Sequence, residues 1–162
     1  MGIKELLLNK GWAGRTLSRQ ETAERLNPLI RRYYELNHQY DQTIRQINSR
    51  EAASVLNGFQ KTARVDIAKL SETVLSAGYP SYNGVDLDPK DFAQDGTDAE
   101  LIDRLIAKED EFGRLVADEL DLEHQIRTRA ILQLIRQNSQ SRLDTLKTIR
   151  QRLGQEGRDN GR

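Results

Sequence analysis

Apolar and aromatic residues recur three and four apart over most of the chain, and each unbroken run of that spacing predicts a helix with one buried face. Leu29, Ile30, Tyr33, Leu36, Tyr40, Ile44 and Ile47 make the first stripe, helix A, with Asn27-Pro28 reading as an N-cap followed by proline at the first helical position. Asn48-Ser49 ends A and caps helix B, whose stripe is Leu56, Phe59, Ala63, Ile67, Leu70, Val74 and Ala77, stopped by Gly78. So short a link predicts A and B lying antiparallel, side by side.

Residues 78–96 break the pattern with Gly78, Pro80, Gly84, Pro89 and Gly96, so irregular chain is expected there. Extended chain advances about 3.3 Å per residue against about 1.5 Å in a helix, so this link can run the full height of a bundle. Helix C opens on the capping-box pattern Thr97-Asp98-Ala99-Glu100 and buries Ile102, Leu105, Phe112, Val116 and Leu120. No Gly or Pro falls between Gly113 and Gly154, so one helix from 97 to 153 has to be weighed. Continuing the stripe would bury Glu123 and Arg127, which favours a break at Asp121 to His124, before helix D with Leu132, Ile135, Leu143, Leu146, Ile149 and Leu153. The expected fold is an all-α antiparallel four-helix bundle with a long crossover between B and C. It divides into residues 1–26, an N-terminal segment whose Ile3, Leu6, Leu7 and Trp12 dock on the bundle or a partner; 27–153, the bundle; and 154–162, a flexible tail.

Composition changes this picture mainly by exclusion. The 162 residues, 36% hydrophobic and 31% charged, suit one domain with a real core and polar helix faces. With no cysteine, thiolate metal sites, disulfides and a cysteine nucleophile are all excluded. No apolar run approaches a membrane span or a signal-peptide core, and residue 6 is Leu where a myristoylation signal wants Ser or Thr, so a cytoplasmic protein without membrane contact is expected. The net charge is zero but uneven: residues 78–123 carry 14 acids and 4 bases, residues 124–162 carry 9 bases and 3 acids. If those segments are neighbouring helices, the asymmetry is consumed inside the fold, and nucleic acid is an unlikely partner.

Each stripe is interrupted near its centre by a polar residue: Asn37 in A, Asp66 in B, Glu109 in C, and Asn138 or Ser139 in D. In an antiparallel bundle the helix centres share a layer, so these residues are expected to meet in the core as a polar layer, either hydrogen-bonded to one another or holding a ligand. Glu35 and His38 lie within a turn of Asn37, which makes Glu35, His38, Asp66 and Glu109 the candidate ligands for a metal reading; two central carboxylates without an imidazole suit iron, manganese or zinc poorly, so no metal and no cofactor are expected. His124 reads as part of the C–D turn. Asp86, Asp88, Asp91 and Asp95 lack the EF-hand spacing, with Lys90 among them, and are read as solvating the crossover.

Leu26-Asn27-Pro28-Leu29-Ile30, Glu109-Asp110-Glu111-Phe112 and the Gly78-Tyr79-Pro80 exit from helix B, set in this four-helix pattern, resemble the ferritin-like superfamily, and within it small bacterial proteins of unknown function. The resemblance implies a ferritin-like fold over residues 26–153. It also implies where a di-iron site would lie, with inward-facing glutamates and a Glu-x-x-His on each of two helices. Helix B offers Arg64, Asp66 and Lys69 near its middle and helix D offers Gln137 to Gln140, with no Glu-x-x-His in either. The function expected is therefore non-catalytic: a structural or interaction protein that has lost the di-iron site, a homo-oligomer, with a dimer expected first. The alternatives are a cryptic metal protein and a nucleic-acid binder using Arg127, Arg129, Arg136, Arg142, Arg150 and Arg152 of helix D.

Overall fold

The computed structural model of the protein describes residues 15–161. The segment carrying Ile3, Leu6, Leu7 and Trp12 lies outside the described residues. Four long helices follow in order, α1 (Arg19–Gln46), α2 (Arg50–Ser76), α3 (Asp98–Leu120) and α4 (Ile126–Asp159), with a 3-10 turn at Pro89–Phe92 inside the link between α2 and α3. There is no strand among the described residues, and no helix among them is long and apolar enough to cross a membrane.

α1 starts earlier than the Asn27-Pro28 signal predicts. Ser18 accepts a hydrogen bond from the Glu21 N–H while the Glu21 carboxylate accepts from the Ser18 N–H, a complete capping box, and Pro28 lies inside the helix. Burial explains the extension. Thr22, Ala23 and Leu26 continue the stripe of Leu29, Ile30 and Tyr33 upstream, and all are buried, so ending the helix at Asn27 would strand apolar surface. Asn27 instead fastens the link to α1: its side chain accepts from the Tyr82 N–H at 2.9 Å and donates to the Pro80 carbonyl at 3.1 Å.

α2 is capped by Ser49, and α3 by Thr97, whose hydroxyl accepts from the Glu100 N–H. α3 ends at Leu120, and α4 begins at Ile126. Gly154 does not end α4, which continues to Asp159 through the stretch where the sequence predicts a flexible tail. A glycine inside a helix costs only about 1 kcal/mol, and the surrounding Gln, Glu and Arg residues are good helix formers.

α1 packs against α2 and α3, and α4 packs against the same two helices. One core results, with Leu26, Ile30, Leu56, Leu70, Leu101, Ile102, Leu132, Ile135 and Leu146 almost wholly buried. The Asp98 carboxylate accepts from the N–H groups of Asn48 and Ser49, both at 2.9 Å, which sets the start of α3 beside the start of α2. Near the other end Arg25 of α1 pairs with Glu119 of α3 at 2.8 Å.

Candidate functional site

At mid-height the core turns polar. Asp66 of α2 and Glu109 of α3 are 1% and 0% exposed, so their charges stand only if other groups compensate them. Every carboxylate oxygen there has a donor. Tyr33 donates its hydroxyl to Asp66 Oδ2 at 2.6 Å, and Asn138 donates Nδ2 to both Asp66 oxygens at 3.1 and 3.2 Å. Tyr40 donates to Glu109 Oε1 at 2.6 Å, and Ser139 donates to Glu109 Oε2 at 2.8 Å. The cation is Arg142 of α4, which is 2% exposed: its Nε lies 2.5 Å from Glu109 Oε1, its Nη2 3.3 Å from Oε2, and its Nη1 3.9 Å from Asp66 Oδ2. Nη1 has no hydrogen-bond partner among the described residues.

The electrostatics are those of a locked ion pair. Burial works against the Arg142 charge, but the Glu109 carboxylate outweighs it, and the guanidinium pKa is pushed further up. Burial, with the neighbouring carboxylates, also drives the Tyr33 and Tyr40 phenols well above their ordinary range, so both remain donors. The Arg142 guanidinium also lies 5.5 Å from the centroid of the Tyr33 ring, within cation–π range. A small cleft of about 140 Å³ between α3 and α4 reaches Glu109 and Ser139. Arg136 lines it and donates to the Gly113 carbonyl.

The structure thus brings together Asp66, Glu109, Asn138 and Ser139, and leaves the other candidates elsewhere. Asn37 does not join them: it lines an open groove between α1, α2 and the link, where its Oδ1 is buried without a partner among the described residues. The reason is angular. Tyr33, Leu36 and Tyr40 occupy the inward stripe of α1, and Asn37 falls beside it. His38 stacks on Phe92 of the 3-10 turn with ring centroids 5.2 Å apart, and Glu35 pairs with Arg31 and Arg32. Among the described residues no group of His, Asp and Glu side chains is placed to hold a metal ion. The chemistry of the central layer agrees: a di-metal centre needs free carboxylate lone pairs and imidazoles, whereas these oxygens already accept from Tyr, Asn, Ser and Arg. The residues present do not fit such a centre.

The sequence names Arg142 only as one of the helix D bases a nucleic acid could use, and so misses its place in this layer. The signal lies in the spacing Leu132, Ile135, Ser139, Arg142, Leu146, Ile149, where two successive stripe positions are polar. The stripe spacing also describes the rings of Tyr33 and Tyr40 but says nothing of their hydroxyls.

A second buried polar cluster joins α1 to the α3–α4 turn. His124, 5% exposed, sets Nε2 2.8 Å from Glu119 Oε2, and Arg25 bonds the same carboxylate through Nε and Nη2. The carboxylate can only accept, so Nε2 carries the proton of that bond. Burial pushes the Glu119 pKa up, but the bonds from His124 and Arg25 prevail and hold it below its ordinary value.

The remaining bases of α4 are largely spent within the fold. Arg129 donates to the Leu120 and Leu122 carbonyls, Arg150 pairs with Asp103, and Arg152 pairs with Glu51. In the link, Asp86 holds Arg31 and Tyr82, and Asp88 caps the 3-10 turn. Compared with known proteins, the chain matches no family model and no curated sequence.

Proposed function

We propose that the chain is a ferritin-like bundle with antiparallel neighbouring helices, in which a built-in ion pair stands where its relatives would carry metal. On this reading it works without catalysis, as a structural or interaction protein, and as a homo-oligomer, a dimer first. Three features support the topology. The Asp98 clasp on Asn48 and Ser49 makes the link travel back along α2 before α3 begins, and the Arg25–Glu119 pair sets the start of α1 against the end of α3. The short link at residues 47–49 reverses the chain between α1 and α2.

The loss of metal chemistry rests on one observation: the Arg142 guanidinium holds both Glu109 oxygens and faces Asp66. A fixed side-chain cation supplies the charge a metal would bring and saturates the lone pairs it would need. A nucleic-acid role has less support, since Arg129, Arg136, Arg142, Arg150 and Arg152 all make internal bonds. Elemental analysis of protein purified without chelator, run beside sedimentation equilibrium, tests the reading. Far less than one iron, manganese or zinc per chain and a concentration-dependent dimer are expected. Stoichiometric metal overturns the lost-site reading, and a strict monomer overturns the oligomer.

A further inference from the structure

The link between α2 and α3 is fastened on both sides of one dipeptide, Asn83-Gly84. Upstream, the Tyr82 N–H donates to the Asn27 side chain at 2.9 Å. Downstream, Asp86 accepts from the Tyr82 hydroxyl at 2.6 Å and pairs with Arg31 at 2.9 Å. Between these anchors Gly84 takes φ +74° and approaches the ring of Tyr34 so closely that a Cβ would meet it at 3.0 Å. Only glycine satisfies both demands.

The sequence sets Asn before Gly at three places, and the fold treats the three differently. Asn57-Gly58 is exposed but lies within α2, where the helical ladder engages the Gly58 N–H and holds that nitrogen in helical geometry. Asn160-Gly161 ends α4, with Asn160 itself in helical conformation at φ −79° and ψ −10°. Asn83-Gly84 lies in irregular chain. Asn83 is exposed, its Oδ1 accepts from the Val85 N–H at 3.1 Å, and the Gly84 N–H has no acceptor among the described residues. The bond from Val85 draws electron density away from Cγ of Asn83, and the unengaged Gly84 nitrogen is the backbone atom that closes a five-membered ring on that carbon. No Cβ at residue 84 shields the nitrogen.

We propose that Asn83 is a site of spontaneous deamidation through a cyclic imide, and that the isoaspartate formed loosens this part of the link. The Gly84 nitrogen gives its proton to solvent and attacks Asn83 Cγ; the N–Cγ bond forms, the Cγ–Nδ2 bond breaks, and Nδ2 leaves with a proton as ammonia. Water then opens the imide. Addition at Cγ breaks the N–Cγ bond and leaves aspartate, whereas addition at the backbone carbonyl breaks the old peptide bond and leaves isoaspartate. Nothing is oxidised or reduced, and water is the one co-reactant. Isoaspartate routes the main chain through the former side chain and lengthens it by a methylene, between anchors set by Asn27 and by the Tyr34 ring. Either product also brings a carboxylate to a groove that Asn83 lines together with Arg64 and Lys90.

Folded protein held in mildly alkaline buffer and sampled over time tests this, with trypsin placing Asn57 and Asn83 in separate peptides for mass spectrometry. The Asn83 peptide should gain the mass of amide-to-acid exchange several-fold faster than the Asn57 peptide, and fragmentation should find isoaspartate beside aspartate. In urea-unfolded protein the two rates should converge, because the backbone no longer distinguishes the two pairs. Asn83→Asp supplies the charge without the extra methylene, so its Tyr82 amide should exchange hydrogen as in the wild type, while the isoaspartate form, separated by ion exchange, should exchange it faster. An Asn83 rate no faster than that of Asn57 in the folded protein, aspartate without isoaspartate, or an isoaspartate form that protects the Tyr82 amide as well as Asn83→Asp does would each overturn the proposal.

Discussion

Arg142 decides the character of the core. Its guanidinium, Asp66 and Glu109 are buried together, so removing the cation leaves two buried carboxylates with neutral hydrogen-bond donors but no counter-charge. Arg142→Met should therefore destabilise the protein by about 3–5 kcal/mol, the usual range for breaking one side of a buried pair, measured by urea unfolding at neutral pH. Arg142→Met with Asp66→Leu and Glu109→Leu strands no charge but leaves Tyr33, Tyr40, Asn138 and Ser139 without their acceptors, so it should recover most of that loss only when Tyr33→Phe, Tyr40→Phe, Asn138→Leu and Ser139→Ala are added. A single substitution as mild as a surface change would show that the layer is solvated and carries no special role. Asp66, Glu109, Asn138 and Ser139 are legible in the sequence because each interrupts an apolar stripe. Arg142 is not, because a base within a helix rich in bases gives no local sign of burial until the partner helix places two carboxylates beside it.

At the scale of the helices, the interiors are readable from the sequence and the ends less so. The stripes of α2, α3 and α4 repeat over enough turns to fix face and type, and Glu123 and Arg127, both exposed, mark why the chain breaks before α4. Asn27-Pro28 misleads because its pattern is that of a helix start, while burial of Thr22, Ala23 and Leu26 draws the helix upstream to the Ser18 box. Two substitutions separate these roles. Ser18→Ala should lower global stability by about 1 kcal/mol, as loss of an N-cap does. Asn27→Ala should leave the helix start intact and instead speed hydrogen exchange at the Tyr82 amide, whose acceptor it removes. A larger global loss from Asn27→Ala than from Ser18→Ala would restore Asn27 as the cap.

The whole molecule is closed at one end by the cluster of Arg25, Glu119 and His124, and this end sets how it responds to acid. Glu119 is largely shielded from solvent and holds two partners from different elements, so its ionisation is tied to α1 and to the α3–α4 turn at once. Its pKa in the folded protein lies below the ordinary value of 4.5. Unfolding therefore takes up a proton as pH drops toward that range, and the stability Glu119 contributes is fully present above about pH 4.5 and lost as pH falls through the lowered value. Glu21, Asp41 and Asp86 shift the same way but are far more exposed, so solvent screens their share. Glu119→Gln should thus be less stable than the wild type at pH 7, and the gap should narrow below about pH 4.5. Chemical unfolding in a series of buffers from about pH 7 to about pH 3 measures it. A gap that stays constant across the series would mean that the glutamine loses packing or hydrogen bonds alone, and that the charge of Glu119 contributes nothing to holding this end of the bundle closed.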